Sequence, residues 1–171
     1  VYYAAGIWPF MGIFLHAINA ETGTVRWTND GEGSRFTMQP HNTPSFAGVA
    51  PQGAMVVDGD RLLVPGGRSV PACYDRRTGR LMHYQLAANN KKGGGSDVAA
   101  GAGLFFNGGY MFTGEEGDVV EGFPFTTLPV VIERRAYYVA GDTLKEVEFG
   151  DPRISIRDGK DRKGKPIKIR K

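Results

Sequence analysis

The chain has 171 residues, a formal net charge of +3 and 41% hydrophobic residues, which is enough for one domain with a buried core. Its 25 glycines and 10 prolines disfavour long helices, and no apolar run approaches the ~20 residues that cross a bilayer. Cys73 is the single cysteine, so no disulfide can form within the chain. Composition therefore argues against a helical bundle, a transmembrane helix and a disulfide-stapled domain.

Short apolar segments bounded by Gly, Asp or Asn follow one another along the chain, and each predicts a β-strand. The sequence Asp58-Gly59-Asp60, a strong tight-turn signal, joins two of them. No segment keeps a 3.6-residue hydrophobic period, so we expect an all-β fold. The predicted strands are 1–5, 14–18, 24–27, 53–57, 61–64, 70–75, 80–86, 104–106 and 136–140.

One turn sequence occurs twice. Residues 17–27 have the pattern Ala-x-Asn-x-x-Thr-Gly-x-x-x-Trp, and residues 73–83 repeat it 56 positions later with Cys, Asp and His in place of Ala, Asn and Trp. An Asn or Asp side chain accepts hydrogen bonds from backbone amides two residues on, and glycine supplies the positive φ that closes the turn. No complete third copy is recognisable, although 105–108 and 137–141 resemble later copies of the preceding strand. The motif positions are Ala17, Asn19, Thr22, Gly23, Trp27, Asp75, Thr78 and Gly79.

This motif is similar to the tryptophan-docking repeat of quinoprotein β-propellers, also called PQQ-like repeats. The resemblance implies four-stranded antiparallel blades, with the motif joining the third and fourth strands and the tryptophan packed between neighbouring blades. Truncating such a residue is expected to destabilise the fold by about 3–5 kcal/mol. About four blades fit in this length, whereas family members have seven or eight, so we expect residues 1–171 to be part of a propeller. Blade boundaries are expected near 28–52, 88–100 and 114–128.

The last 21 residues carry an excess of positive charge. Residues 151–171 contain nine Lys or Arg and three Asp, while the rest of the chain has a net charge of −3. Isoleucines at 154, 156, 167 and 169 alternate with polar residues, which is typical of strands. We therefore predict a basic β-hairpin or a final incomplete blade, with lysines that protect a strand edge, and no binding of nucleic acid.

The candidate binding residues lie in the longest loops. In an alternating strand order, the loops at 6–12, 28–52 and 66–69 emerge on one face, so Trp8, His41, Asn42, Gln52 and Arg68 are expected to meet at one rim. There, His41 could act as a base, a ligand or a hydrogen-bond donor, and Arg68 could bind a carboxylate or phosphate, or both could be structural. Gly93-Gly94-Gly95-Ser96 lacks the Lys-Ser/Thr of a phosphate loop and is expected to be a flexible connection.

The resemblance leaves three functions open. The first, which we favour, is a binding or assembly scaffold in a periplasmic or secreted protein, without a cofactor, whose partners are the remaining blades and another protein or a small ligand at the loop-rich face. The second is a pyrroloquinoline quinone dehydrogenase of alcohols or sugars with a bound calcium ion. The third is a sensor or substrate-binding module attached to another domain. Dehydrogenases of the family often carry an adjacent Cys-Cys pair, which this chain lacks.

Overall fold

The computed structural model contains β-strands and no α-helix in the part of the chain that it describes. Strand pairing there is antiparallel and joins strands that are consecutive in the chain, which is the pattern of a meander. The described residues are 1–7, 12–32, 36–39, 42–46, 48–86, 93–123, 125, 127–149, 156–160 and 166–170.

Four sheets of three or four strands form the body of the protein. Sheet I contains β1 (Tyr2–Ile7), β2 (Gly12–Ile18) and β3 (Val25–Asn29), and a hairpin of β4 (Phe36–Met38) and β5 (Pro44–Phe46) follows it. Sheet II contains β6 (Val56–Asp58), β7 (Arg61–Val64), β8 (Ser69–Asp75) and β9 (Leu81–Leu86). Sheet III contains β10 (Ala99–Gly101), β11 (Leu104–Asn107), β12 (Tyr110–Thr113) and β13 (Val119–Gly122). Sheet IV contains β14 (Val130–Ile132), β15 (Arg135–Ala140) and β16 (Thr143–Glu148).

The predicted connections contain strands of their own. The range 28–52 includes the β4–β5 hairpin, and β13 lies within the range 114–128 as the fourth strand of sheet III. In the range 88–100, β10 begins at Ala99. In the basic segment 151–171, β17 (Ile156–Lys160) pairs with β18 (Pro166–Arg170) as a two-stranded antiparallel sheet.

The sheets stack face to face, and strand alternation divides their side chains between two cores. Leu62 and Val64 of β7 pack toward sheet I, whereas Leu63 between them packs toward sheet III. In β11, Phe105 packs toward sheet II, while Leu104 and Phe106 pack toward sheet IV. Because both faces of an inner sheet are buried, its strands β7 and β11 contain continuous apolar runs, at 62–64 and 104–106.

A hairpin with the same geometry occurs in sheets I, II and III. Each contains a β-bulge at the same point, which leaves one extra residue on the later strand: Arg26, Met82 and Val120. In each, two backbone hydrogen bonds close the turn, such as Gly23 N to Asn19 O at 2.9 Å and Gly117 N to Thr113 O at 3.0 Å. Residues 111–121 are therefore a third copy of the repeat, although no complete third copy is recognisable in the sequence.

Candidate functional site

Antiparallel meanders place successive connections at opposite ends of a sheet, so the stack has two rims. We call the end that carries the β7–β8 and β11–β12 connections and the β4–β5 hairpin the loop rim. The opposite end, the turn rim, carries the repeated turns 19–24, 76–80 and 114–118. The described loop rim contains Asn42, Gln52 and Arg68, and the turn rim contains the repeat motif.

Three of the five predicted rim residues are described. Gln52 lies against the β7–β8 loop, where its backbone N–H donates to Pro65 O at 2.9 Å and its side chain occupies the space beside Gly67. Exposed Arg68 belongs to the same loop, and its backbone N–H donates to Gly66 O at 2.8 Å. Asn42 is exposed in the turn of the β4–β5 hairpin, where its N–H donates to Gln39 O at 2.9 Å. Trp8 and His41 lie outside the described residues.

The glycine run next to this loop is tied to it by backbone hydrogen bonds. Gly95 N donates to Gly67 O at 2.6 Å, and Gly94 N donates to the side chain of buried Asn107 at 2.5 Å. The Asn107 amide also donates to Asp97 O at 2.8 Å. A Cβ at Gly94 would lie 2.7 Å from Gly67 O, so this approach requires glycine. Instead of a free connection, the run is a fixed seam between sheets II and III, and these two amides are not available to cradle a phosphate.

At the turn rim, Trp27 joins sheet I to sheet II. Its Nε1 donates to Arg76 O at 2.9 Å, and its ring lies over Gly79, where a Cβ would come within 2.5 Å of the indole. Asn29, on the same strand, donates from Nδ2 to Gly79 O at 2.7 Å. The Tyr2 ring centroid is 5.9 Å from that of Trp27. The tryptophan of the first repeat thus contacts the turn of the second.

The turns themselves are held by their Asn and Asp side chains. Asn19 Oδ1 accepts from the amides of Glu21 and Thr22 at 2.9 and 3.3 Å. Asp75 Oδ1 accepts from the amides of Arg77 and Thr78, both at 2.9 Å. The Thr78 amide is the main cause that lowers the pKa of Asp75, because a hydrogen bond to the carboxylate stabilises its charged form. Buried Ala17 and glycines with positive φ, Gly23 at 70° and Gly79 at 76°, complete the motif.

His83 takes the position of Trp27 at the next junction. Its ring stacks on Phe105 with centroids 6.2 Å apart, and a Cβ at Gly117 would lie 2.7 Å from its Cε1. Burial is the main cause that lowers the pKa of His83, and the positive charge of Arg61 lowers it further, while the backbone of Gly114 acts in the opposite direction. The imidazole is therefore neutral at pH 7 and serves as a packed ring.

Two further observations concern the single thiol and the possible metal ligands of the described residues. Burial raises the pKa of the Cys73 thiol to about 11, which leaves it protonated and poorly nucleophilic at neutral pH. Within the described ranges, no three His, Cys, Asp or Glu side chains come together in a way that could hold a metal ion. No helix long and apolar enough to span a membrane occurs in that part of the chain.

Among solved structures, the chain is similar to BamB from Moraxella catarrhalis, with a TM-score of 0.52 and 14% sequence identity over 81% of this chain. BamB is a β-propeller. This chain has the β-propeller fold. The propeller segment spans 45% of the length of the BamB chain. No protein-family model matches the sequence, and no curated protein is significantly similar to it.

Proposed function

We propose that the chain is part of a PQQ-like repeat β-propeller that serves as a binding or assembly scaffold in a periplasmic or secreted protein. The observation that carries the proposal is the contrast between the two inner sheets and the loops they hold. Sheets II and III are buried on both faces, whereas β4 and β5 form a separate two-stranded hairpin in the connection between sheets I and II. Long loops on a rigid scaffold are where binding residues concentrate.

Exposed apolar side chains on that hairpin support a protein partner. Phe36 and Met38 of β4 are 63% and 56% exposed, and only one residue separates them along the strand. Apolar groups grouped on a surface are typical of protein contacts. The nearby loop of Gln52 and Arg68 adds hydrogen-bond donors that could orient a partner. The remaining blades of the same propeller are the other partners that we propose, and nucleic acid is not among them.

The similarity to BamB fits this location and class. BamB is an outer-membrane assembly protein of the periplasm. At 14% identity the similarity establishes the fold alone, so location and partners rest on the repeat motif and on the surface of the loop rim.

The second candidate is a quinoprotein dehydrogenase, favoured by the motif at residues 17–27. Calcium prefers six to eight oxygen ligands, with carboxylates among them. Among the described residues, no three His, Cys, Asp or Glu side chains come together that could supply the carboxylates of such a set. The described residues therefore fit a calcium-quinone site poorly, and the scaffold remains the first proposal.

Titration of the full-length protein with pyrroloquinoline quinone and calcium separates the two candidates. The scaffold predicts no change in quinone absorbance and no shift in thermal unfolding at concentrations well above micromolar. A calcium-dependent change in both, with dye reduction after addition of alcohols or sugars, would establish the dehydrogenase instead.

Photocrosslinking tests the proposed rim directly. A photoreactive amino acid at position 38 or 68 should capture the same partner in cells, whereas one at exposed Lys145 of β16 should not. Equal capture at all three positions would contradict a specific binding rim.

A further inference from the structure

The residue at the bulge position differs in chemistry between the first repeat and the other two. The bulge residue of each repeat faces the following sheet, because a bulge turns two consecutive side chains toward the same side. Met82 accordingly lies with its sulfur 3.9 Å from that of Cys73, and Val120 packs in the core between sheets III and IV. In the first repeat the same position is Arg26, a charged side chain where the other copies place an apolar one.

The facing turn adds two more arginines. Arg76 and Arg77 occupy turn positions that hold Ala20 and Glu21 in the first repeat. The Arg76 carbonyl accepts hydrogen bonds from Trp27 Nε1 at 2.9 Å and from the Tyr2 hydroxyl at 3.4 Å, so the backbone that carries both arginines is anchored. Three basic side chains are thereby placed at the junction of sheets I and II.

These arginines line a cleft of about 490 Å³ at the turn rim. None of the described residues that line it is acidic, and the aromatic rings of Tyr2 and Trp27 form part of its wall. The other described lining residues are Val1, Ala17, Ile18, Asn19 and Ala20. The basic cleft is therefore both positively charged and partly apolar.

Neighbouring carboxylates leave most of this charge available. Arg77 approaches Asp60 at 3.6 Å, but the two side chains are 69% and 60% exposed, and ion pairs of that kind contribute only about 0–1 kcal/mol. Asp75 is engaged by the turn amides through the hydrogen bonds described above. A ligand carboxylate could displace Asp60 without leaving a buried charge unpaired.

We propose that the basic cleft binds an acidic segment of a partner polypeptide. Carboxylate side chains would pair with the guanidinium groups of Arg26, Arg76 and Arg77, whose planar fork suits carboxylate oxygens. The apolar parts of the segment would lie against the rings of Tyr2 and Trp27. The cleft is larger than a single carboxylate or phosphate requires. A free inorganic anion would gain nothing from contact with its aromatic wall. This site is on the opposite rim from the loops discussed above and does not depend on them.

The test uses a fluorescein-labelled hexapeptide of alternating Glu and Leu, with a Gln-Leu peptide as its control. Fluorescence anisotropy should show binding of the Glu peptide that weakens with salt, and little binding of the Gln peptide. Arg26→Met and Arg77→Gln should each weaken binding about tenfold or more, as expected for the loss of a charge-assisted hydrogen bond. Met is the residue of the second repeat at the bulge position, so Arg26→Met should fold normally.

Two variants serve as matched controls. Arg80→Gln removes a charge from the same turn but outside the lining, and Arg68→Gln removes one from the loop rim; neither should change the affinity. An equal effect of Arg80→Gln would show that net charge alone drives binding and would overturn the proposal. If free glutarate or inorganic phosphate competes as well as the peptide, the cleft is a small-anion site and the proposed acidic segment is excluded. The peptide-binding results do not depend on crosslinking at the loop rim, so failure of one proposal can be distinguished from failure of the other.

Discussion

Replacing Trp27 with alanine removes a ring that packs between sheets I and II at the turn rim. An indole buries about 150–250 Å² when fully enclosed, and Trp27 is half-buried, so about 100 Å² of apolar contact is lost. At about 25 cal/mol per Å² this contact stabilises the fold by about 2.5 kcal/mol. The lost hydrogen bond to Arg76 O adds about 1 kcal/mol. We expect a destabilisation of about 3–4 kcal/mol, the lower part of the range that a fully buried tryptophan would give.

Urea unfolding followed by far-UV circular dichroism measures this change without using tryptophan fluorescence. The matched variant Trp27→Phe keeps an aromatic ring over Gly79 but loses the Nε1 donor, so it should destabilise the fold by about 1–2 kcal/mol. Equal effects of the two substitutions, or a loss below about 1 kcal/mol for Trp27→Ala, would refute the docking geometry. An altered dependence on urea concentration in the alanine variant would point to loss of cooperativity between the sheets.

Three further substitutions test the junctions by the same unfolding measurement. Gly79→Ala should destabilise the fold by about 2 kcal/mol or more, because φ is +76° and the new Cβ would meet the Trp27 ring, whereas Gly59→Ala, with open space at a φ of +58°, should have a smaller effect. The native pKa of His83 lies below its ordinary value of 6.5, so the unfolded chain binds more protons, and the free energy of unfolding should fall as the pH drops below about 6.5. His83→Phe should flatten this pH dependence. An unchanged slope in that variant would contradict the role of His83. Asn107→Leu should destabilise by about 1–3 kcal/mol, since Gly94 N and Asp97 O would lose their partners, and a neutral result would mean that the glycine seam holds without it.

Local chemistry in the sequence predicted much of the scaffold. The Asx side chains of Asn19 and Asp75, with glycine four residues later, specify the two turns because their hydrogen bonds span only two or three residues. The apolar run at 104–106 also predicts a strand, because a strand buried on both faces needs no polar alternation. Each predicted strand overlaps an observed one, and the all-β propeller prediction is confirmed.

The third repeat escaped detection because its chemistry differs from that of the other two. Thr113 replaces the Asn or Asp of the turn, and its hydroxyl accepts from Asp118 N at 3.1 Å. Glu121 replaces the tryptophan and is exposed, while Phe123 and Phe149 fill the core between sheets III and IV. The backbone geometry is retained although its sequence signature is lost, so only the strand register identifies this copy.

The sequence by itself determined the strands, the repeated turn and the meander that connects them, because short-range hydrogen bonding and alternation encode each of these. Tertiary structure alone decided what each junction contains. Trp27 meets Arg76 across 49 residues, and the same junction brings Arg26 and Arg77 to one cleft. No local pattern marks a bulge that turns Arg26 toward the next sheet, since its effect appears only when two sheets stack. The basic cleft is therefore a product of long-range stacking, although every residue that lines it is visible in the sequence.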